Sequence, residues 1–219
     1  MSQLILNFHG TGPVTKVLDP EEFECWLETD FLESVFDLVC GQRHVRLTVD
    51  DGNLSDIEVI LPALLRRGLQ ATFFVCSGRL DRPSFLSRSH IRELRANGMQ
   101  IGSHGVDHVS WRHLSQSRLR AELEDSKEVL EEVCGTRIDS AACPLGAYDR
   151  HVIHGLRRAG YRQIYTSDDG YCADHDWIRA RKTVIRTTNL DDLHRLVHQG
   201  VGAWKQSLIS ARKLIKRFR

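Results

Sequence analysis

Short apolar segments alternate with longer amphipathic segments along most of this 219-residue chain. Runs of four to six mainly apolar or β-branched residues that end at glycine or polar residues are typical of buried strands. Such runs occur at residues 4–8, 45–49, 71–76, 99–103, 138–143 and 163–166, and a last strand is expected within 178–186. Apolar residues recur at helical spacing between them, so the pattern predicts a parallel sheet covered by helices.

Several of the predicted helices have recognisable starting and ending residues. Asp19 precedes Pro20, a combination of N-cap and first helical residue that is typical of a helix start. Ser55 or Asp56 is expected to cap the helix after the second strand, and Gly68 follows its end. Further helices are expected from Ser89, from Ser115 or Ser117, at 150–160 and at 190–198, and residues 167–177 are predicted to form a polar loop.

The composition excludes some classes of protein. The chain has 30 basic and 29 acidic residues, and this balance gives no overall field that would attract nucleic acid. Its six cysteines include no Cys-x-x-Cys pair, which is typical of free thiols in a reducing compartment. The start of the sequence lacks the features of a secretory signal, and no apolar run reaches the length of a membrane span. We therefore expect a cytoplasmic globular protein.

Polar residues that can take part in chemistry directly follow several of the predicted strands. His9 follows the first strand, Asp50 and Asp51 the second, and His104 the fourth, with His108 four residues further on. In a parallel barrel the carboxyl ends of the strands lie on one face, where barrel enzymes place their active sites. These side chains are therefore expected to form one site.

Asp51, His104 and His108 together offer a donor set for a metal ion. One carboxylate and two imidazoles suit Zn²⁺, with Co²⁺, Mn²⁺ or Ni²⁺ as alternatives, and three protein ligands leave coordination positions open. An open position is typical of a catalytic ion, which acidifies water and polarises a carbonyl group. Asp50 could then be the general base. The alternative interpretation of Asp50, Asp51 and Gly52 is an ordinary surface turn.

Amide hydrolysis also needs a proton donor and a group that binds the oxyanion. His9 is the favoured donor because it ends the first strand on the same face, although a hydrogen-bonded structural histidine is an equal alternative. Pro144, Leu145 and Gly146 form a predicted turn after the fifth strand. Proline and glycine restrict this turn, so the backbone amide of Leu145 is a candidate oxyanion donor.

These segments resemble the motifs of a known family. Residues 48–52 (Thr-Val-Asp-Asp-Gly) resemble the first motif, and residues 104–108 (His-Gly-Val-Asp-His) the second motif, of the polysaccharide deacetylase family, also called the NodB-homology or carbohydrate esterase family 4 domain. Residues 144–148 are similar to the third motif, which adds Tyr148 to the candidate residues for binding the substrate or the oxyanion. The resemblance covers roughly residues 4–184.

The resemblance implies both a fold and a reaction. The implied fold is α/β, a distorted (β/α)7 barrel, which we expect over residues 1–200. The implied metal ligands are Asp51, His104 and His108, with Asp50 as the base. The implied reaction removes acetate from an N-acetylated sugar, so the expected substrate is an N-acetylhexosamine of a polysaccharide or glycolipid precursor.

The sequence departs from the family pattern in two places. The arginine that usually precedes the proline of the third motif by two residues is replaced by Ala142, and the Leu-x-His of the fifth motif is not evident near residues 184–186. Both departures resemble the exopolysaccharide de-N-acetylase branch, in which a histidine that ends the first strand is the acid, as His9 would be. Arg181 is a candidate replacement for the missing arginine, but the favoured interpretation is a solvated side chain.

Residues 201–219 are predicted to contain a basic amphipathic helix. Its apolar face comprises Trp204, Leu208, Ala211, Ile215 and Phe218, and lysine and arginine dominate elsewhere. The favoured interpretation is that this face packs on the barrel. The alternative is peripheral contact with an anionic membrane surface, and a lipid-linked sugar would then be the natural substrate.

The sequence therefore predicts a cytoplasmic, metal-dependent hydrolase of a linear amide bond that acts as a de-N-acetylase. One alternative is a glycan-binding barrel that keeps the metal but has lost turnover, as the replacement at Ala142 suggests. Another is an amidohydrolase or deformylase that acts on a different amide. A ferrous oxygenase, which also uses two histidines and a carboxylate, ranks last because it leaves Asp50 without a role.

Overall fold

A computed structural model of the chain describes residues 2–199. The amphipathic helix predicted within 201–219 lies outside these residues, and the boundary at residue 200 stays a prediction. Within the described residues no helix is both long enough and apolar enough to cross a membrane.

The structure confirms the predicted α/β barrel. Its strands are β1 (Ser2–Phe8), β2 (Val45–Asp51), β3 (Ala71–Val75), β4 (Gln100–Ser103), β5 (Ser140–Ala142), β6 (Gln163–Thr166), β7 (Tyr171–Ala173), β8 (Ile178–Ala180) and β9 (Lys182–Thr183). Strands β1 to β6 are neighbours in chain order and all pair in parallel. Strand β8 continues the sheet beside β6, and β9 pairs with β1. The segment from β8 to β9 therefore brings the sheet round to its first strand.

Helices cover the outside of this sheet. They are α1 (Pro20–Cys25), α2 (Thr29–Val39), α3 (Leu61–Leu65), α4 (Arg88–Ala96), α5 (Gln116–Arg120), α6 (Ser126–Cys134), α7 (Arg150–Arg158) and α8 (Leu190–Gln199). Helix α3 follows a π-helical turn, Asp56–Ile60, and a second π-helical turn, Ala121–Asp125, joins α5 to α6. The expected caps at Asp19 and Ser115 accept hydrogen bonds from the first turns of α1 and α5. Ser87, not Ser89, caps α4.

The segment that was predicted to be a polar loop contains a strand. Strand β7 lies within residues 167–177 and pairs antiparallel with β1, on the side of β1 away from β2. Tyr171 donates a hydrogen bond from its hydroxyl group to the carbonyl of Leu196, and Cys172 is buried. The prediction was wrong because this short strand depends on pairing with a segment about 170 residues away, which a local pattern does not reveal.

Two apolar layers hold the barrel together. The larger lies between the sheet and the helices, and the smaller contains Ile5, Phe74, Ala142, Tyr165 and Cys172. Ile5, Phe74, Ala142 and Tyr165 alternate along their strands with residues of the larger layer, so they face the barrel interior.

Gly102 on β4 makes room for an aromatic ring inside the barrel. A Cβ atom at this position would lie 2.4 Å from the ring of Phe74 and 2.7 Å from the hydroxyl of Ser140. Since real Cβ atoms do not approach so closely, glycine is required here by packing.

We predict that Gly102→Ala lowers the free energy of unfolding by about 1–3 kcal/mol, the usual cost of overpacking a core. Urea denaturation would measure this loss. Phe74→Leu in the same chain should recover part of it, because the smaller side chain leaves room for the new methyl group. A Gly102→Ala variant as stable as the parent would show that the interior is not packed as described.

Candidate active site

The candidate residues meet at the carboxyl end of the barrel strands. Asp50 and Asp51 are the last two residues of β2, His9 follows β1, and His104 follows β4. The Oδ2 atom of Asp50 lies 3.9 Å from the Nε2 atoms of both His9 and His104. The Oδ1 atom of Asp51 lies 3.5 Å from Nε2 of His104 and 3.1 Å from Nε2 of His108. The structure thus brings all five side chains into one site.

The three candidate metal ligands have the geometry of a donor set. Their ligand atoms all lie within 4.8 Å of one another. Tetrahedral Zn²⁺ with bonds of about 2.0–2.1 Å would place its ligand atoms about 3.3 Å apart, close to the distances from Asp51 to the two imidazoles. The Oδ1 atom of Asp51 is buried beside Nε2 of both imidazoles, yet within the described residues it is in a well-aligned hydrogen bond with neither. A cation bound by these three atoms would satisfy the oxygen and both nitrogens, so the residues fit a divalent ion.

The protonation states favour metal binding at His104. Burial lowers the pKa of His104 to about 4, although the two aspartates oppose this shift, so the ring is neutral at pH 7. Its Nδ1 atom lies 2.9 Å from the carbonyl oxygen of Ala142. In the neutral ring Nδ1 donates its proton to that carbonyl, which leaves the lone pair of Nε2 directed at the site. Ala142, which replaces the arginine of the third motif, thus orients a candidate ligand through its backbone.

The other two candidate ligands influence each other electrostatically. Burial opposes the ionisation of Asp51, but contact with His108 and the nearby histidines hold the pKa of Asp51 well below its usual value. Burial alone would lower the pKa of His108, but contact with Asp51 outweighs it and raises this pKa. The carboxylate and the imidazole, 3.1 Å apart, thus favour each other's charged form.

Three residues of the site adopt a left-handed backbone that costs non-glycine residues energy. The φ angles are +81° at Asp51, +57° at His108 and +56° at Leu145. Each such conformation costs about 1–2 kcal/mol relative to the right-handed region. Strain of this kind concentrates at functional sites because the surrounding structure fixes the position of the side chain.

Arg181 holds Asp50 inside the barrel. This arginine lies between β8 and β9 and is fully buried. Its Nη1 donates to Oδ1 of Asp50 at 2.7 Å and its Nη2 donates to Oδ2 at 2.8 Å. Asn7 donates from Nδ2 to the same Oδ2 at 3.0 Å, and its Oδ1 accepts from Nη1 of Arg181 at 2.9 Å. Burial opposes the ionisation of Asp50, but the charge of Arg181 holds the pKa of this carboxyl below its usual value.

The expectation that Arg181 is solvated was therefore wrong. Strand β8, just before Arg181, pairs with β6, and strand β9, just after it, pairs with β1. At this change of partner the side chain of Arg181 points into the barrel. The sequence gives no sign of this change. As a result, Asp50 is bound by a guanidinium from the last barrel strand, whereas the family pattern places an arginine at position 142.

The turn after β5 leaves one backbone amide as the candidate oxyanion donor. Pro144–Gly146 form a single 3-10 turn in which Leu145 is 60% exposed. Pro144 has no N–H group, and Gly146 donates its own to the carbonyl of Cys143 at 3.0 Å. Leu145 is thus the residue of the turn whose amide remains a candidate donor. Tyr148 is buried and donates its hydroxyl proton to Oδ2 of Asp168 at 2.7 Å.

Glu122 is a residue of the site that sequence analysis missed. It is fully buried in the π-helical turn between α5 and α6. Its Oε2 accepts hydrogen bonds from the backbone of Val106 at 2.8 Å and of Asp107 at 3.3 Å, in the loop between the two candidate histidine ligands. π-helical turns are frequent at functional sites. The one signal in the sequence was that Glu122 directly precedes Leu123, which belongs to the predicted buried face of this helix.

Comparison with known proteins identifies similar sequences. A sequence model described as polysaccharide deacetylase matches residues 39–164. The putative polysaccharide deacetylase YxkH of Bacillus subtilis is 25% identical over 162 residues, which cover 74% of this chain and 55% of that protein. The peptidoglycan-N-acetylmuramic acid deacetylase PdaC of the same organism is 29% identical over 107 residues, 48% of this chain and 22% of PdaC. The chain thus spans about half of YxkH and less than a quarter of PdaC.

A solved structure has the same fold. The deacetylase PplD of Streptococcus pyogenes, determined in complex with acetate, superposes with a TM-score of 0.75 at 19% sequence identity. The match covers 90% of this chain and 99% of that chain. At this level of identity the likeness supports the barrel fold alone.

We predict that Arg181→Met lowers the free energy of unfolding by about 3–5 kcal/mol, because it leaves the buried charge of Asp50 without its partner. Urea denaturation at pH 7 would measure the loss, with Arg137→Met, an exposed arginine, as the control. Adding Asp50→Asn to Arg181→Met should recover part of the stability. A loss below about 1 kcal/mol would contradict the paired burial described here.

We also predict that Glu122→Ala weakens Zn²⁺ binding by about 10–100-fold, the usual effect of removing a group that orients metal ligands. Glu122→Gln should bind more tightly than Glu122→Ala, since its amide oxygen can still accept hydrogen bonds from the loop. Calorimetric titration would measure the affinities, with Glu124→Ala on the exposed side of the same turn as the control. An unchanged affinity in Glu122→Ala would show that the loop does not need this carboxylate.

Proposed function

Because this chain belongs to the polysaccharide deacetylase family, we propose that it is a metal-dependent de-N-acetylase that releases acetate from an N-acetylhexosamine of a glycan. One observation carries the proposal. The buried Oδ2 atom of Asp50 lies 3.9 Å from the imidazoles of His9 and His104 and directly beside the donor set of Asp51, His104 and His108. A base, an acid and a metal-binding group in one site are what amide hydrolysis requires.

The metal ion would be held by Asp51, His104 and His108. Zn²⁺ suits these ligands best, and Co²⁺, Mn²⁺ and Ni²⁺ are alternatives. When bound, such an ion acidifies water and polarises the acetyl carbonyl group.

Asp50 is the proposed general base. Arg181 and Asn7 fix both of its oxygens, so the carboxylate has one orientation and stays ionised near neutral pH. An ionised carboxylate at this place can accept the proton of the attacking water at Oδ2, the oxygen that lies closer to the imidazoles.

His9 is the proposed general acid. Its Nε2 faces Oδ2 of Asp50, and its side chain is 17% exposed, so the substrate nitrogen can reach the ring. When His9 donates a proton to the amide nitrogen of the substrate, that nitrogen can leave as a neutral amine. The amide of Leu145 would bind the oxyanion that forms when water attacks the carbonyl, and Pro144 and Tyr148 would shape the same wall of the site.

The nature of the glycan is the open part of the proposal. PdaC is named for its action on N-acetylmuramic acid in peptidoglycan, and another relative is named chitin deacetylase 1, from Cryptococcus neoformans. Oligomers of N-acetylglucosamine, peptidoglycan fragments and lipid-linked N-acetylhexosamines are therefore the substrates to test first. The lipid-linked sugars also address the membrane contact that the sequence of residues 204–219 suggested.

We predict that the zinc-loaded protein releases acetate from one or more of these substrates and that Asp50→Asn lowers kcat by about 10²–10⁴-fold. Asparagine keeps the shape of the side chain but cannot accept the proton, so Zn²⁺ binding should persist. His9→Ala should lower kcat by a similar factor while leaving Zn²⁺ binding intact. Enzymatic acetate assay and calorimetry would measure both properties, with Asp37→Asn on the exposed side of α2 as the control.

Other outcomes would identify the alternatives. Binding of Zn²⁺ and of a glycan without acetate release would favour a glycan-binding barrel. Release of formate, or hydrolysis of a different amide, would favour a deformylase or another amidohydrolase. Full activity in Asp50→Asn would exclude the proposed base.

A further inference from the structure

Arg79 lies at the edge of the metal donor set and has a buried N–H group without an acceptor. It ends the 3-10 turn Ser77–Arg79 that follows β3. Its Nη1 is 4.0 Å from Oδ1 of Asp51, too far for a hydrogen bond, and it donates to no acceptor within the described residues. A buried guanidinium nitrogen without an acceptor is costly, so its retention calls for a partner that the chain itself does not supply.

The neighbouring loops hold Arg79 in place. The guanidinium carbon lies 5.1 Å from the centre of the Phe85 ring, a cation–π contact. Phe85 forms a β-bridge with Asn53, and the amide of Leu86 donates to the carbonyl of Gly52 at 2.9 Å. Asn53 and Gly52 directly follow Asp51. The loop that carries Phe85 is thus fixed to the same turn as the candidate metal ligand, which sets the position of Arg79 relative to the site.

Two charged side chains in the loops around Arg79 are already paired with other residues. Lys16, which lies over the same Phe85 ring, forms an ion pair with Glu22. Asp107, in the loop next to Gly78, forms an ion pair with Arg118. Among the described residues, the carboxylate within 4.0 Å of the Arg79 guanidinium is that of Asp51.

A metal ion would remove even this partner. Asp51 would then be a ligand, and Asp50 is matched by Arg181. The guanidinium of Arg79 would then lie beside a divalent ion without a paired carboxylate of its own. A negatively charged group on the substrate would supply that partner.

We propose that Arg79 binds an oxyanion group of the substrate, a carboxylate or a phosphate, carried on a carbon next to the one that bears the acetamido group. This inference rests on the proposed de-N-acetylase function. In a 2-acetamido hexose the neighbouring carbons are C1 and C3, which can carry a phosphate and an ether-linked carboxylate, respectively. The short distance from Arg79 to Asp51 fits a group so close to the scissile bond. Guanidinium binds both oxyanions through paired N–H groups.

The test compares sugars that differ only in the charged group. N-acetylglucosamine is neutral, N-acetylmuramic acid adds a carboxylate at C3, and N-acetylglucosamine 1-phosphate adds a phosphate at C1. We expect the zinc-loaded protein to use one charged sugar with a kcat/KM about tenfold or more above that for the neutral sugar, the size expected for a hydrogen-bonded ion pair. The charged sugar with the higher kcat/KM shows whether the site binds a carboxylate or a phosphate.

Arg79→Gln should abolish this advantage by raising KM for the charged sugar, with kcat/KM for the neutral sugar unchanged. Arg79→Lys should recover part of it, since lysine restores the charge but not the paired N–H groups. Arg120→Gln, an exposed arginine on α5, is the matched control. Equal losses on neutral and charged sugars in Arg79→Gln, or no preference in the parent protein, would overturn the inference.

A binding measurement separates this inference from the proposed reaction. If the parent protein releases no acetate from any sugar, the de-N-acetylase proposal fails. Calorimetric titration with the same three sugars then decides the role of Arg79. Tighter binding of a charged sugar than of N-acetylglucosamine, lost in Arg79→Gln, would support the oxyanion site. Equal binding of all three sugars, or binding that Arg79→Gln does not change, would exclude it.

Discussion

The buried ion pair between Asp50 and Arg181 is the constraint on which the rest of the structure depends. Burial of a carboxylate and a guanidinium is favourable only when their remaining hydrogen bonds are satisfied. Here Asn7 of β1 bonds to both partners, and Thr48 of β2 accepts a further hydrogen bond from Nη1 of Arg181 at 3.3 Å. The first, second and last strands of the barrel therefore meet at one polar network. Because these hydrogen bonds join residues of the first, second and closing strands, the network fixes how the closing strand pairs with β1 as well as the orientation of the carboxylate.

The candidate metal site is supported from the opposite side of the barrel by a backbone carbonyl group and a buried carboxylate. The carbonyl of Ala142 on β5 orients the ring of His104, and the carboxylate of Glu122 holds the loop that leads to His108. Asp51 occupies the strained end of β2, between these supports and the ion pair. Two independent networks thus fix adjacent residues of one strand, so Asp50 and Asp51 can have different electrostatic surroundings although they are neighbours in sequence.

The sequence predicts well those features that depend on short segments. Strand ends, the spacing of His104 and His108, and the adjacent aspartates are local patterns, and the structure places these residues together as expected. Features that depend on distant pairing were not predictable. Strand β7 forms by pairing with β1. Arg181 points inward where the closing segment stops pairing with β6 and begins to pair with β1. Glu122 was missed for a further reason, since a π-helical turn rotates the helix face by an amount that regular helical spacing does not anticipate.

The position of Arg181 has a consequence for synthesis on the ribosome. Asp50 and Arg181 are 131 residues apart in sequence. A nascent chain can emerge with β1 to β6 complete and still have an unpaired aspartate in the barrel interior. The carboxylate receives its cation only when the closing strand leaves the exit tunnel. Closure of the barrel and pairing of the Asp50 carboxylate are therefore one event, and a product truncated before residue 181 lacks both.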